Sequence, residues 1–177
     1  ILYLVSDSLV IIPTYNEKEN IEKMILKVFS LPKKFHLLIV DDGSPDGTSD
    51  IVKSLQKKYP DQLFIVEREG KLGLGTAYIR GFQWALRAGY EYIFEMDADF
   101  SHNPDDLIRL YQACHEDGAD VSVGSRYVKG GDVKNWDYKR IALSYCASWY
   151  VRFILWINLK DPTAGFVCYK RKVLATI

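Results

Sequence analysis

Short apolar runs separated by helix-period segments set the strongest limit on what this chain can fold into. Leu9-Val-Ile-Ile12, Leu37-Leu-Ile-Val40, Leu63-Phe-Ile-Val66, Tyr92-Ile-Phe-Glu-Met96 and Asp120-Val-Ser-Val-Gly124 read as strands. Between them apolar residues recur at helix spacing. Ile21, Met24, Ile25 and Val28 mark a helix over residues 16–29, and Ile51, Val52 and Leu55 mark another that Thr48 is placed to cap. Ala77, Ile79, Phe82, Ala85 and Leu86 mark a third over residues 74–87, closed by Gly89; a fourth over residues 105–116 is entered through Asn103-Pro104. Strands with no polar face need cover on both sides, which parallel strands with crossover helices supply. The expected fold is α/β: a Rossmann-like, mostly parallel sheet flanked by helices.

Such sheets bind ligands beyond the carboxyl ends of their strands. The first strand ends in Pro13-Thr-Tyr-Asn-Glu17, the second in Asp41-Asp-Gly-Ser44, the fourth in Asp97-Ala-Asp99 and the fifth in Gly124-Ser-Arg126. Each cluster alone reads as a turn; polar groups at the same end of several strands predict one binding site. Asp97 and Asp99 repel, and one of them tends to take a proton unless a cation is present. Mg²⁺ or Mn²⁺ suits them, because these ions take hard oxygen ligands and combine one or two carboxylates with substrate phosphates. The other reading is a helix cap at Asp99 and a solvated Asp97. Lys71-Leu-Gly-Leu-Gly75 is either a phosphate cradle at a helix start or simply a tight helix entry. Neither a Walker sequence nor a GxGxxG directly after the first strand is present.

Lys and Arg number 23 and are balanced by 23 Asp and Glu, which gives no support to nucleic-acid binding. A 48% hydrophobic content allows one full core, and residues 1–177 are read as a single domain. Cys114, Cys146 and Cys168 form no CxxC pair and read as buried, reduced thiols. The first residues, Ile-Leu-Tyr-Leu-Val, lack the basic region of a signal peptide, and no apolar run reaches the ~18 residues of a membrane span. The chain stops inside an apparent helix after Lys170, so a truncated carboxyl end is expected.

In order along the chain, Val10-Ile-Ile-Pro-Thr-Tyr-Asn-Glu17, Val40-Asp-Asp-Gly-Ser-Pro-Asp-Gly-Thr48, Gly70-Lys-Leu-Gly-Leu-Gly-Thr-Ala77, Asp97-Ala-Asp99, Gly124-Ser-Arg-Tyr127 and Asp161-Pro-Thr-Ala-Gly-Phe166 closely resemble the motifs of the polyprenol-phosphate mannosyltransferases. That family includes the dolichol-phosphate mannose synthases, inverting family 2 glycosyltransferases of the GT-A fold. The resemblance runs from Leu9 to Lys172. It implies that Pro13, Tyr15 and Glu17 hold a nucleoside, that Val40 and Asp42 lie around its base and ribose, and that Asp97, Ala98 and Asp99 approach the diphosphate and its Mg²⁺ or Mn²⁺. Arg126 then lies near the phosphates or the sugar. Ser101 stands where many relatives carry a metal-ligating Gln, and ligates directly or through water; His102 follows it. Ala164 stands where relatives often have Ser, which puts in doubt any hydroxyl role there.

The implied reaction moves mannose from GDP-mannose, with inversion, to a polyprenol monophosphate, dolichyl or undecaprenyl. A phosphate nucleophile is already charged and needs cations more than a base. Arg126 and Arg140 are therefore catalytic candidates, with Lys139 and Ser144 beside Arg140, and Asp99 is the third through the metal it is expected to hold. Residues 138–160 are expected to serve the lipid side. Trp149, Tyr150, Phe153, Ile154, Trp156 and Ile157 make an apolar helix too short to span, either lying at a membrane interface or docked on the sheet. The partners implied are a nucleotide-sugar donor, a polyprenol-phosphate acceptor and a membrane surface. The location implied is cytoplasmic, peripheral at the inner face of the cell membrane, or at the cytosolic face of the endoplasmic reticulum in a eukaryote. UDP-glucose as donor, a sugar hydroxyl as acceptor, a non-catalytic nucleotide-binding domain and a nucleotidyltransferase are the alternatives.

Overall fold

Leu9 and Ile11 enter one core while Val10 and Ile12 enter another, because successive strand side chains point to opposite faces of a sheet. A computed structural model of the chain describes residues 6–125, 161 and 164–176. Its elements are β1 (Ser8–Thr14), α1 (Ile21–Phe29), β2 (His36–Asp41), α2 (Thr48–Gln56), β3 (Leu63–Glu67), α3 (Leu74–Ala88), β4 (Tyr92–Glu95), α4 (Asp106–His115), β5 (Val121–Val123), β6 (Val167–Lys170) and α5 (Arg171–Leu174). They form one sheet in the order β3-β2-β1-β4-β6-β5. β1 pairs in parallel with β2 and β4, and β2 with β3. β6 alone is reversed, pairing antiparallel with β4 and β5.

Both faces are covered, as fully apolar strands require. On one face α1, α2 and α4 bring Ile21, Met24, Val52, Leu107 and Cys114 against Val10, Ile12, Leu37, Ile39 and Phe94. On the other, Ala77, Tyr78 and Ala85 of α3 and Leu174 of α5 meet Leu9, Ile11, Leu38, Val40 and Ile93. Gly81 lets α3 sit close to the sheet: a Cβ there would come 2.6 Å from Ile11 Cγ2.

Three local expectations change. α1 begins at Ile21, not at residue 16. Asn16 has φ 60°, and the backbone N–H groups of Asn16, Glu17 and Lys18 are bound by side chains of Ser44, Thr48 and Asp46, so this stretch is a turn fastened to the β2–α2 loop. Thr48 does not cap α2. Gly47 (φ 91°) holds that position, and the Thr48 N–H and hydroxyl both donate to Asp46 Oδ1 at 3.0 and 2.6 Å. β6 lies just before the apparent terminal helix, which shortens to Arg171–Leu174.

Cys114 and Cys168 are buried free thiols, as expected, while Cys146 and the segment 138–160 lie outside the described residues. No helix among the described residues is long and apolar enough to cross a membrane.

Candidate active site

The sheet reverses its winding between β1 and β4: β2 and β3 lie to one side, β6 and β5 to the other. Such a switch point leaves a crevice beyond the strand ends. A pocket of about 300 Å³ opens there. Pro13, Thr14, Tyr15 and Glu17 line it from the end of β1, Asp42 from the end of β2, and Asp97, Ala98 and Asp99 from the end of β4. Lys71, Gly73, Leu74 and Ala77 close it from the glycine-rich loop and the start of α3. The Lys71 ammonium lies over the Tyr15 ring, 4.8 Å from its centroid.

Adjacent residues at the end of β2 do different work. Asp41 is buried and accepts hydrogen bonds from the Thr14 hydroxyl (2.8 Å), the Ser44 N–H (2.9 Å) and the Ser44 hydroxyl (2.7 Å), so it organises the loop. Asp42 lines the pocket and accepts from Arg68 Nε at 2.6 Å. The same guanidinium donates to the Thr76 hydroxyl (2.7 Å) and the Gly73 carbonyl (3.2 Å). Arg68 thereby ties the ends of β2 and β3 to the glycine-rich loop. It was not among the residues expected from sequence.

The β4 end concentrates negative charge. Asp97 accepts from the Tyr78 hydroxyl at 3.2 Å through Oδ1, and His102 Nε2 lies 3.9 Å from its Oδ2. The His102 ring stacks on Phe166, centroids 5.1 Å apart. Burial pushes the Asp97 carboxyl above its usual range; the His102 charge opposes this, the Asp99 charge adds to it, and the Tyr78 hydrogen bond opposes it. Glu95, two residues earlier, is pushed up to about 7, chiefly by burial, with the Tyr169 hydrogen bond opposing and Asp97 adding.

Asp99 is exposed, and its Oδ1 accepts the Ser101 N–H at 2.9 Å. Phe100 takes φ 58°, a left-handed conformation rare for a bulky residue, so the turn after the carboxylate pair is strained. These donors fit a hard divalent cation: they are carboxylate oxygens of two residues that line the same pocket. Among the described residues no three His, Cys, Asp or Glu side chains converge as a cage.

The pocket brings together Pro13, Tyr15, Glu17, Asp42, Asp97, Ala98 and Asp99. Val40 does not join them; it is fully buried in the core beneath α3, where its strand position puts it. Ser101 is exposed and does not line the pocket. Arg126, Lys139, Arg140 and Ser144 lie outside the described residues.

Sheet order and flanking helices define a GT-A type domain. Residues 9–177 match Glycosyl transferase family 2, and the chain belongs to that family. It is 48% identical over 170 residues to the polyprenol monophosphomannose synthase of Mycolicibacterium smegmatis, an alignment covering 96% of this chain and 64% of that protein. It is 42% identical over 169 residues to the undecaprenyl-phosphate mannosyltransferase of Micrococcus luteus, covering 96% and 68%. The chain thus spans about two thirds of the length of these relatives. A mannosyltransferase of Pyrobaculum calidifontis, solved in complex with GDP-Man and Mn²⁺, shares the fold, with a TM-score of 0.62 at 21% identity over 96% of this chain and 46% of that one.

Proposed function

We propose that this chain is the donor-binding, catalytic part of a polyprenol-phosphate mannosyltransferase. It transfers mannose from GDP-mannose to a polyprenol monophosphate, with inversion and with Mg²⁺ or Mn²⁺. The observation that carries this reading is the switch-point pocket, where Tyr15, Asp42, Asp97 and Asp99 converge from three strand ends. The names of the two bacterial relatives support the acceptor class.

In this reading Pro13 and Tyr15 form an apolar wall for the nucleoside, and Glu17 and Asp42 accept from ribose or base. Asp97 and Asp99 would hold the cation together with the donor diphosphate, with Ser101, which follows them in the chain, as a further ligand directly or through water. When bound, the cation neutralises charge growing on the leaving diphosphate. Lys71 and the N–H groups at the start of α3 add positive potential beside it. An oxygen of the acceptor phosphate forms the new bond at the anomeric carbon as the bond to the diphosphate breaks. Arg126 and Arg140 hold that acceptor phosphate, and no general base is needed because the nucleophile is already charged. The lipid tail meets the membrane along residues 138–160, and the enzyme works as a peripheral protein at the cytoplasmic face.

Calorimetric titration with GDP-mannose and with UDP-glucose, each with and without Mn²⁺, tests the reading. Metal-dependent binding of GDP-mannose in preference to UDP-glucose is the expected outcome. Preference for UDP-glucose would make the product a glucosyl lipid, and binding of neither would defeat the donor assignment.

A further inference from the structure

Tyr78 lies one helical turn beyond the glycine-rich loop, on the inward face of α3, and is 7% exposed. Its ring stacks against Phe82 at 6.2 Å, and its hydroxyl reaches across to Asp97 Oδ1 at 3.2 Å. That reach depends on how closely α3 is seated. Gly81 carries no side chain where a Cβ would strike Ile11, so the helix lies low on β1, and Tyr78 is brought over the end of β4.

A buried tyrosine needs a partner for its hydroxyl, and a backbone carbonyl would satisfy that need. Here the partner is a half-buried carboxylate at the pocket edge. We propose that Tyr78 is a positioning residue for the metal-binding carboxylate: by holding Oδ1 of Asp97 it fixes the rotation of the side chain, and with it the direction in which Oδ2, 3.9 Å from His102 Nε2, is presented to a divalent cation. Because Gly73, Leu74 and Ala77 of the same segment line the pocket, one turn of α3 connects the diphosphate side of the site to the metal side. This inference rests on the assignment of Asp97 to the cation.

The test is Tyr78→Phe, which keeps the ring and removes the hydroxyl. Mn²⁺ is titrated into protein saturated with GDP, and free Mn²⁺ is read by electron paramagnetic resonance, with Mn²⁺ held by GDP alone subtracted. Mn²⁺ binding should weaken about ten- to a hundredfold, as is usual when a ligand loses its supporting hydrogen bond. GDP affinity in EDTA and the thermal midpoint should hold. Phe82→Leu, which loosens the ring but keeps the hydroxyl, should weaken Mn²⁺ binding much less. Mn²⁺ affinity within twofold of the parent, an equal loss of metal-free GDP binding, or an equal loss in Phe82→Leu would overturn the role. A parent protein with no Mn²⁺-dependent GDP binding would overturn both this role and the metal assignment beneath it.

Discussion

Arg68 Nε lies 2.6 Å from Asp42 Oδ1, and each of the two side chains is only 8% exposed. A charge pair this sheltered is costly to break from one side, because the remaining charge has neither water nor partner. Arg68→Ala should lower unfolding free energy by about 3 kcal/mol, the lower part of the range for such pairs, since the pocket admits water. It should also weaken GDP-mannose binding, as the glycine-rich loop loses its ties to Thr76 and Gly73. Arg68→Lys should recover little, because an ammonium cannot span the three acceptors as a guanidinium does. Urea denaturation and calorimetry measure both effects; an unchanged denaturation midpoint in Arg68→Ala would show that the pair is not stabilising.

Gly81 gives a prediction opposite to helix propensity. In an exposed helix interior Gly→Ala gains about 1 kcal/mol. Here the added methyl would meet Ile11 Cγ2 at 2.6 Å and Cδ1 at 2.9 Å. Gly81→Ala should instead lose about 1–3 kcal/mol, the usual cost of overfilling a packed core. Ile11→Ala opens the space, so the double variant should be less destabilised than the sum of the two single changes. Strict additivity would mean that the two sites do not touch.

Much of this architecture was legible in the sequence, for a physical reason. Leu9-Val-Ile-Ile12 and Leu37-Leu-Ile-Val40 have no polar face, and only a sheet covered on both sides hides them. The strand-end carboxylates Asp42, Asp97 and Asp99 were legible for the same reason, since a parallel sheet brings its carboxyl ends to one edge. Long-range contacts were not legible. Arg68 reaches three partners on two other elements, and nothing in its own neighbourhood announces this. Tyr78 reads as an ordinary core aromatic until its hydroxyl is seen against Asp97. β6 is four residues long and is defined by its pairing with β4 and β5, so no local period reveals it. Val40 is the converse case: the resemblance puts it beside the base, while its strand position buries it completely.

His36 should make the fold acid-sensitive. Its Nδ1 lies 2.7 Å from the Tyr90 hydroxyl, and its buried Nε2 has no partner among the described residues. Burial lowers the imidazole from its ordinary 6.5, against a smaller upward pull from Asp61. Well above pH 6.5 neither the folded nor the unfolded chain protonates this ring, and its contribution is complete. As pH falls below that value the unfolded chain takes the proton first, so stability declines, by at most about 1.4 kcal/mol per pH unit for one proton. His36→Phe should remove this component. Unfolding free energies at pH 7.5, 6.5 and 5.5 for both proteins are the measurement, and parallel curves would contradict it.

Asp99 should separate metal binding from folding. It is exposed, and among the described residues its structural duty is the turn made when Oδ1 accepts the Ser101 N–H. Asp99→Ala should therefore change the unfolding midpoint little, as surface substitutions usually do. Mannosyl transfer should fall about a hundredfold or more, the loss seen when one electrostatic stabiliser of a leaving group is removed. Asp99→Asn keeps the turn and one ligating oxygen but discards the charge, so it should fold like the parent and still fail in transfer. Turnover in saturating Mn²⁺ with radiolabelled GDP-mannose and a short-chain polyprenol phosphate is the readout. Parental turnover in both variants would move the cation away from Asp99 and leave that carboxylate with the turn alone.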